Sequence, residues 1–535
     1  MDGAELEIKF AVSEPRLFDI IIADPQLLLM AKHKKPITQN YEALYYDTPD
    51  FALRKAGISY RIRKEGADWI ATFKSDSGSS GSLFSREEWN EKVSGPEASR
   101  KPFDGTFAGE RMVKKTGNQR LQLLFSTNFS RTTLQLETSS GAMIEIALDR
   151  GTIWSGSGTA QISELEIELK KGKTSQLLEL AAWIAPKWNL LPENRSKYVR
   201  GIELLEFGST SEGISSHDIS VTLTAIPTLT SLVDHCAADM FRAQAFLLAD
   251  GASPKSIREL RIQCRRLRSV LRFFQSQFKK DEWDLQVDQL RRWGTLLGTI
   301  RDIDVLHKAW HSFVSRFNPV TIFSEHWPTN IAERRYLLAE DVIQLLNRGE
   351  LTKFLFEMQA WIYRRQEEWS AGGEGNDISG FIQKGLIQAT KSLKADIDSI
   401  NAFSSIERFH RLRIKIKRVR YVQESVMRFS PFRADNYIDT LILAQTAIGK
   451  IHDAYQIKYL LDQVETGNLD ENFLLEKELF VSWRSRMITD RIFGLLKILG
   501  NLRKESKNHL RSLNSLRVGK WSKSAHDSDP HEPGK

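Results

Sequence analysis

Cysteine is nearly absent. Cys236 and Cys264 are the only two in 535 residues, which excludes a disulfide framework and any Cys-rich zinc site and leads us to expect a reducing, cytoplasmic location. Long apolar runs are missing as well, since none approaches the ~18–20 residues that a membrane-spanning helix needs. The amino terminus enters a charged alternating pattern at once, so no cleaved secretory signal is expected. Histidine is sparse, at eleven residues. None shows the spacing of a ligand pair, and His526 and His531 stand too isolated for a metal site. An apolar fraction of 41% and a mean hydropathy of −0.36 suit a soluble globular chain, and the length predicts two or three domains. The net charge of +8 points to a polyanionic partner: nucleic acid, anionic lipid or a phosphate polymer.

What is present begins with a strand pattern. Glu5, Glu7 and Lys9 alternate with Leu6, Ile8 and Phe10, so a period of two puts the charged groups on one face. A strand on the wet side of an ordinary sheet reads the same way. Later segments repeat the pattern with complementary charge. Ser59–Lys64 places Arg61 and Arg63 on one face, Asp68–Lys74 follows as its hairpin partner ending in Lys74, and Phe84–Asn90 carries Arg86 and Glu88. Between the last two, Ser75–Ser82 reads as a Gly/Ser loop, and Tyr45–Asp50 upstream reads as a turn. Leu121–Ser130, Arg131–Thr138 and Met143–Asp149 read as three strands, with Arg131 in the second and Glu145 and Asp149 sharing a face in the third. ISELEIELKKG then lines up Glu164, Glu166 and Glu168, a helix covers about Lys173–Trp188, and PENRSKYVRG closes the segment. Three carboxylates in a row repel one another unless a cation sits among them. An oxygen-only set suits Mg2+ or Mn2+, and the facing Arg and Lys suit a multiply charged phosphate. A closed barrel with a polar interior brings both sets together.

The ordered series ELEIK, YRIRK, TFK, SREEW, FSTNFSR, IEIALD, ELEIELKKG and SKYVRG resembles the CYTH domain, the triphosphate tunnel metalloenzyme fold, over about residues 3–205. The resemblance implies an eight-stranded tunnel that cleaves the terminal phosphoryl of a triphosphate with Mg2+ or Mn2+. Position by position, it implies Glu5 and Glu7 as acidic metal-site residues and Lys9 as a phosphate contact. Arg61, Arg63, Lys74, Arg86 and Arg131 become the basic wall. Asp149, Glu164 and Glu166 complete the acidic side with Glu168 next along, and Glu88 and Glu145 lie on the matching face. Lys197 and Arg200 are expected to reach the phosphates from outside the barrel.

Residues 206–222 read as a polar linker, 223–515 as nearly all helix, and 516–535 as a disordered tail. The helical part contains an internal repeat: IRELRIQCRRLR at Ile257–Arg268 and FHRLRIKIKRVR at Phe409–Arg420. Basic residues recur at helical spacing, Arg258, Arg261, Arg265 and Arg268 in one copy and His410, Arg413, Lys417 and Arg420 in the other. Each copy is followed by a segment with a glycine four residues before an aspartate, Gly298 and Asp302, then Gly449 and Asp453. Like charges on successive turns repel, and a polyanion spanning the face offsets that. Asp302 and Asp453 read as caps or ion-pair partners that orient the arginines. These paired segments resemble the CHAD domain over about residues 223–515, a helical family associated with polyphosphate. Where its first motif commonly has His, this chain has Arg258, which keeps its charge at all pH values.

The sequence therefore predicts an α+β multidomain protein: an N-terminal antiparallel eight-stranded β tunnel barrel followed by an all-α pseudo-symmetric bundle. The expected function is metal-dependent hydrolysis of tripolyphosphate, with long-chain polyphosphate on the helical part. Alternatives are action on thiamine triphosphate or ATP, or a non-catalytic polyphosphate-binding or granule-targeting role. Nucleic acid competes for the basic faces, and the full acidic set argues against a pure anion binder.

Overall fold

The computed structural model describes residues 5–515 apart from 34, 77–82, 118, 157, 206–224, 318–325, 373–377, 428–433 and 465–470. Most of the expected Ser75–Ser82 loop, the 206–222 linker and the 516–535 tail lie outside the described residues. The chain forms two compact units. Met1–Ile219 with Ala237–Arg242 and Asn347–Glu367 make the first, and Ser220–Cys236, Ala243–Leu346 and Glu368–Lys535 the second.

The first unit is built on β1 (Glu5–Ala11), β2 (Ile37–Asp47), β3 (Ile58–Glu65), β4 (Asp68–Asp76), β5 (Leu83–Val93), β6 (Gln122–Glu137), β7 (Met143–Ser155), β8 (Gly158–Lys171) and β9 (Leu191–Pro192). The strand order is β5-β4-β3-β2-β6-β7-β8-β1, and β1 also pairs with β5, so eight antiparallel strands close into a ring. The two-residue β9 adds to β1 outside that ring. Two segments differ from the sequence expectation. Leu121–Ser130 and Arg131–Thr138 are one strand of 16 residues, β6, because no Gly or Pro interrupts it and it pairs along its length with β7. Tyr45–Asp47 belongs to β2, and the turn comes only after Asp47, whose carboxylate accepts from the backbone N–H groups of Thr48, Leu53 and Arg54.

Short helices cover the outside: α1 (Leu17–Ile22), α2 (Pro25–Met30), α3 (Ala52–Lys55), α4 (Phe107–Thr116) and α5 (Thr174–Lys187). The outward residues Ile58, Tyr60, Ile62, Ala71 and Phe73 bury against Leu53 of α3 and Ala108 and Met112 of α4. Alternation thus sends apolar groups outward under helices and polar groups into the bore. At one end the bore turns apolar, with Ala43, Tyr45, Phe125, Phe129, Ile153 and Ile162 packed around Ile202 of α6 (Lys197–Leu205). Gly201 permits that docking: a Cβ there would lie 2.3 Å from the Phe125 ring.

The second unit is helical: α7 (Ala225–Ala249), α8 (Pro254–Phe273), α9 (Lys280–Phe317), α10 (His326–Asn347), α11 (Glu350–Gly372), α12 (Ile378–Asp398), α13 (Ile406–Val426), α14 (Asp435–Val464) and α15 (Glu471–Ser515), with parts of α7 and α11 falling in the first unit. Helix α8 starts where Ser253 caps the Ser256 N–H and Pro254 fills the first turn. It buries Leu260, Cys264, Leu267 and Leu271, the apolar stripe of the repeat. The two repeat copies are the pairs α8–α9 and α13–α14, and α8 also packs on α13 and α9 on α14, which gives the pseudo-symmetric bundle.

Candidate functional site

Register decides which side chains share the bore, because residues opposite one another in an antiparallel pair point the same way. Glu7 lies opposite Glu168, and Glu168 opposite Glu145. One step along, Lys9 lies opposite Glu166, and beyond it Asp149 lies opposite both Arg131 and Glu164. Lys74 lies opposite Glu88, and Tyr45 opposite Arg61. These rows enclose a cavity of about 290 Å3 lined by Lys9, Arg61, Arg63, Lys74, Arg131 and Lys197 and by Glu7, Glu88, Glu145, Glu166 and Glu168, with Glu88 2.5 Å from Lys74 and 3.6 Å from Arg61.

Beside this cavity lies a buried ion-pair network. Asp149, Glu164 and Glu166 each offer an oxygen within 4.8 Å of the others, and all three are at most 5% exposed. The Lys197 ammonium lies 2.7 Å from Asp149 and 3.0 Å from Glu166 and also contacts Glu164. Arg131 forks onto both Asp149 oxygens at 2.7 Å and reaches Glu166, and Lys9 lies 2.8 Å from Glu166. Burial alone lowers a lysine pKa, but these carboxylates outweigh it and raise both Lys197 and Lys9. By the same balance Glu166 is held well below the ordinary carboxylate range, with Lys197, Lys9 and Arg131 overcoming its burial. Glu168 goes the other way: burial, with Glu7 and Glu145 nearby, raises it despite Lys170. Burial also raises Tyr45, yet Arg61, Lys197 and Lys74 turn the net direction downward.

In the helical unit the basic residues face one another instead. Arg261 of α8 and Arg413 of α13 sit against Gly298 and Gly449, where a Cβ would come within 3.6 Å and 3.3 Å of their guanidinium nitrogens. At Gly449 a Cβ would crowd Arg413, which lies 4.0 Å from Asp453, whereas at Gly298 it would make only an ordinary contact with Arg261. Burial, then Arg265, pushes Arg261 down to about 10. Burial with Arg265, Arg413 and Arg261 pushes Lys417 down to about 6. Not all of the expected basic face converges: Arg420 turns to Glu424 at 3.6 Å, and Arg258 lines a separate cavity beside α10.

A CYTH domain family model matches residues 3–201 and a CHAD domain model matches residues 231–462. The chain joins a CYTH domain to a CHAD domain. It is 31% identical over 200 residues to a Haemophilus influenzae protein named inorganic triphosphatase, covering 37% of this chain and 54% of that one, so the chain spans about half the length of this curated relative. Among solved structures, a CHAD domain from Ricinus communis is 18% identical, covering 58% of this chain and 99% of that one, with a TM-score of 0.40. A Hippeastrum protein titled an adenylyl cyclase with a dominant triphosphatase activity is also 18% identical, covering 39% and 98%, with a TM-score of 0.28. Neither likeness carries a functional argument.

The CYTH donor set fits a hard divalent cation. It is all carboxylate, it is held within one coordination sphere's reach, and an ammonium already lies against it. Glu7, Glu168 and Glu145 form a second acidic row at the cavity wall. The backbone of Glu5 pairs with that of Arg86, while their side chains lie outside the described residues. Lys197 differs from the expected approach from outside: it is 7% exposed and sits on the carboxylates, because α6 caps the apolar end of the bore. Arg200 pairs with Glu164 at 2.9 Å. Sequence reasoning missed the wall aromatics Tyr41, Tyr45 and Phe129, whose signal was their alternation in β2 and β6. It also passed over His307 and His311, an i,i+4 pair on α9 with Nε2 atoms 3.2 Å apart.

Proposed function

We propose that the CYTH domain hydrolyses tripolyphosphate to diphosphate and phosphate with Mg2+ or Mn2+, and that the CHAD domain binds long-chain polyphosphate. The observation that carries this reading is the single cavity in which Arg61, Arg63, Lys74 and Arg131 face Glu7, Glu166 and Glu168. The likeness to an inorganic triphosphatase supports it. The aromatic side chains at the wall pair with one another, Tyr41 with Phe129 and Tyr45 with Phe125, which favours an inorganic chain over a base-bearing substrate. The reading takes residues 1–205 and 223–515 as the functional domains. It takes the location as cytoplasmic, in keeping with two buried free thiols.

In this reading Lys9, Arg61, Arg63, Lys74 and Arg131 hold the phosphate oxygens and stabilise the leaving diphosphate, with Arg86 and Arg200 extending the basic wall. Asp149, Glu164 and Glu166, with Glu5, Glu7 and Glu168, hold the divalent cation. Bound there, the cation would neutralise the equatorial oxygens and lower the pKa of water. Lys197 exchanges carboxylate for phosphate as its partner, and its raised pKa keeps it charged throughout. In the CHAD domain Arg261, Arg265, Arg413 and Lys417 form the centre of the anion site, with Arg268, His410 and Arg420 along the same faces.

The test is phosphate release from tripolyphosphate, ATP and thiamine triphosphate, each with and without Mg2+ or Mn2+. Metal-dependent release that is fastest for tripolyphosphate is expected. Release that ignores metal, or that favours an organic triphosphate, overturns the proposal.

A further inference from the structure

Another cavity belongs to neither site. About 690 Å3 in volume, it opens between the start of α8, the middle of α9 and α10, and Lys255, Arg258, Arg301, Lys308 and Arg335 line it against only two acidic residues, Asp304 and Glu340. Its volume falls within the range of small-molecule sites, about 300–1,000 Å3.

Two observations say what it is built for. The first is internal to the repeat. Arg301 follows Gly298 by three residues, as His452 follows Gly449, and Arg258 occupies the place of His410. In the second copy the two histidines close on each other, with ring centroids 4.2 Å apart at 71°, and burial with His452 and Arg413 pushes His410 down to about 4, so it is neutral near pH 7. In the first copy both positions are arginine and both line the open cavity. That half has exchanged a neutral, closed ring pair for two permanent cations.

The second observation is Asp304. Arg335 donates to its Oδ1 at 2.8 Å and, through its other arm, to the Ala252 carbonyl at 2.7 Å, which fixes the carboxylate at the cavity wall. Asp304 is 6% exposed, and its Oδ2 is buried without a hydrogen-bond partner in the structure. A buried carboxylate oxygen left in that state is costly, and a donor supplied by a ligand removes the cost. A fully ionised phosphate chain brings no such donor, whereas a hydroxyl on an organic part of the ligand does.

We infer that this cavity binds a small hydroxylated phosphate ester, with Lys255, Arg258, Arg301 and Lys308 around the phosphate and Asp304 Oδ2 accepting from a ligand hydroxyl. The α8 amino terminus, beginning at Pro254, adds its dipole to the phosphate side. The site is separate from the Arg261–Arg413 cluster and does not rest on the polyphosphate reading.

Titration calorimetry of the full chain without divalent metal tests it, with ribose 5-phosphate and sulfate as probes, sulfate being a tetrahedral dianion with no O–H at neutral pH. Ribose 5-phosphate should bind about tenfold more tightly than sulfate, since a site built around a hydroxyl discriminates against a ligand that lacks it. Asp304→Asn should remove that preference. A Lys255→Ala/Lys308→Ala variant changes only exposed residues, so it keeps the fold while weakening ribose 5-phosphate about tenfold. Equal affinity for the two probes, no binding of ribose 5-phosphate, or binding unchanged in the double-lysine variant would overturn the inference.

Discussion

Burial lowers the pKa of a lysine wherever it occurs, yet Lys197 in the tunnel ends raised and Lys417 in the helical unit ends at about 6. The difference is company. Lys197 lies against Asp149, Glu164 and Glu166, whereas Lys417 faces Arg265, Arg413 and Arg261. The tunnel neutralises its charges internally, so an anion or a cation binding there would have to replace existing partners. The helical cluster keeps its repulsion, which a bound anion would relieve. An enzyme site that must release its product suits the first arrangement, and a high-affinity grip on a polyanion suits the second.

The sharpest way to break this comparison is to remove one charge from each unit. Glu166→Gln should cut metal-dependent phosphate release from tripolyphosphate by roughly 10^2–10^3, the range seen when one electrostatic contact to a transition state is lost. Lys417→Ala should leave that rate unchanged and weaken polyphosphate binding. Unaltered turnover in the Glu166 variant would sink the acidic site.

Next in size is stability. Lys197→Met strands three buried carboxylates, and breaking a buried ion pair on one side costs about 3–5 kcal/mol. The barrel's unfolding midpoint in urea should fall accordingly, and Mg2+ should restore much of it by taking the ammonium's place. A variant as stable as the parent, or one that Mg2+ does not rescue, would show that the carboxylates do not form a cation site.

The pH dependence separates the units without mutation. Glu166 is depressed, so its contribution to stability is present above about pH 4.5 and is lost as pH falls through its lower folded value. Lys9 and Lys197 are raised, so theirs is lost only as pH climbs past the ordinary lysine range. Lys417 titrates in between: from about pH 6 upward the unfolded chain binds the proton that the folded one has lost, so folded stability of the helical unit rises with pH. Polyphosphate bound there as proposed would restore the charged form, with uptake of that proton. Its Kd should therefore rise by up to about tenfold per pH unit above pH 6. Lys417→Arg should flatten this profile, and a parent protein that is already flat would refute the assignment.

Much of the tunnel was legible because a β-strand's period of two sorts side chains without knowledge of the partner strand. Glu5, Glu7 and Lys9 and then Glu164, Glu166 and Glu168 stood out on that ground alone. Lys197 was misplaced because its position depends on α6 docking against Phe125, a tertiary fact that local pattern does not carry. The repeat located the two basic helices, but not which cations meet. Arg258 and Arg261 lie on one predicted face, yet one lines the lateral cavity and the other meets Gly298. Asp304 gave no signal at all, since a buried carboxylate with one satisfied oxygen looks in sequence like any other helical Asp.

The finest test of the repeat lies in its two glycines. Both are buried in helices, where Gly costs roughly 0.5–1 kcal/mol relative to Ala. A Cβ on Gly298 meets Arg261 at 3.6 Å, an ordinary contact, so Gly298→Ala should gain about that much stability and leave polyphosphate affinity unchanged. A Cβ on Gly449 meets Arg413 at 3.3 Å and must push the guanidinium aside by a few tenths of an ångström. Gly449→Ala should therefore gain less stability and weaken polyphosphate by about two- to threefold, as one charged contact loosens without being lost. Chemical denaturation and calorimetry read both. If the two variants behave alike, the copies hold their arginines equivalently and the asymmetry of the cluster lies elsewhere, in the pairing of Arg413 with Asp453 at 4.0 Å.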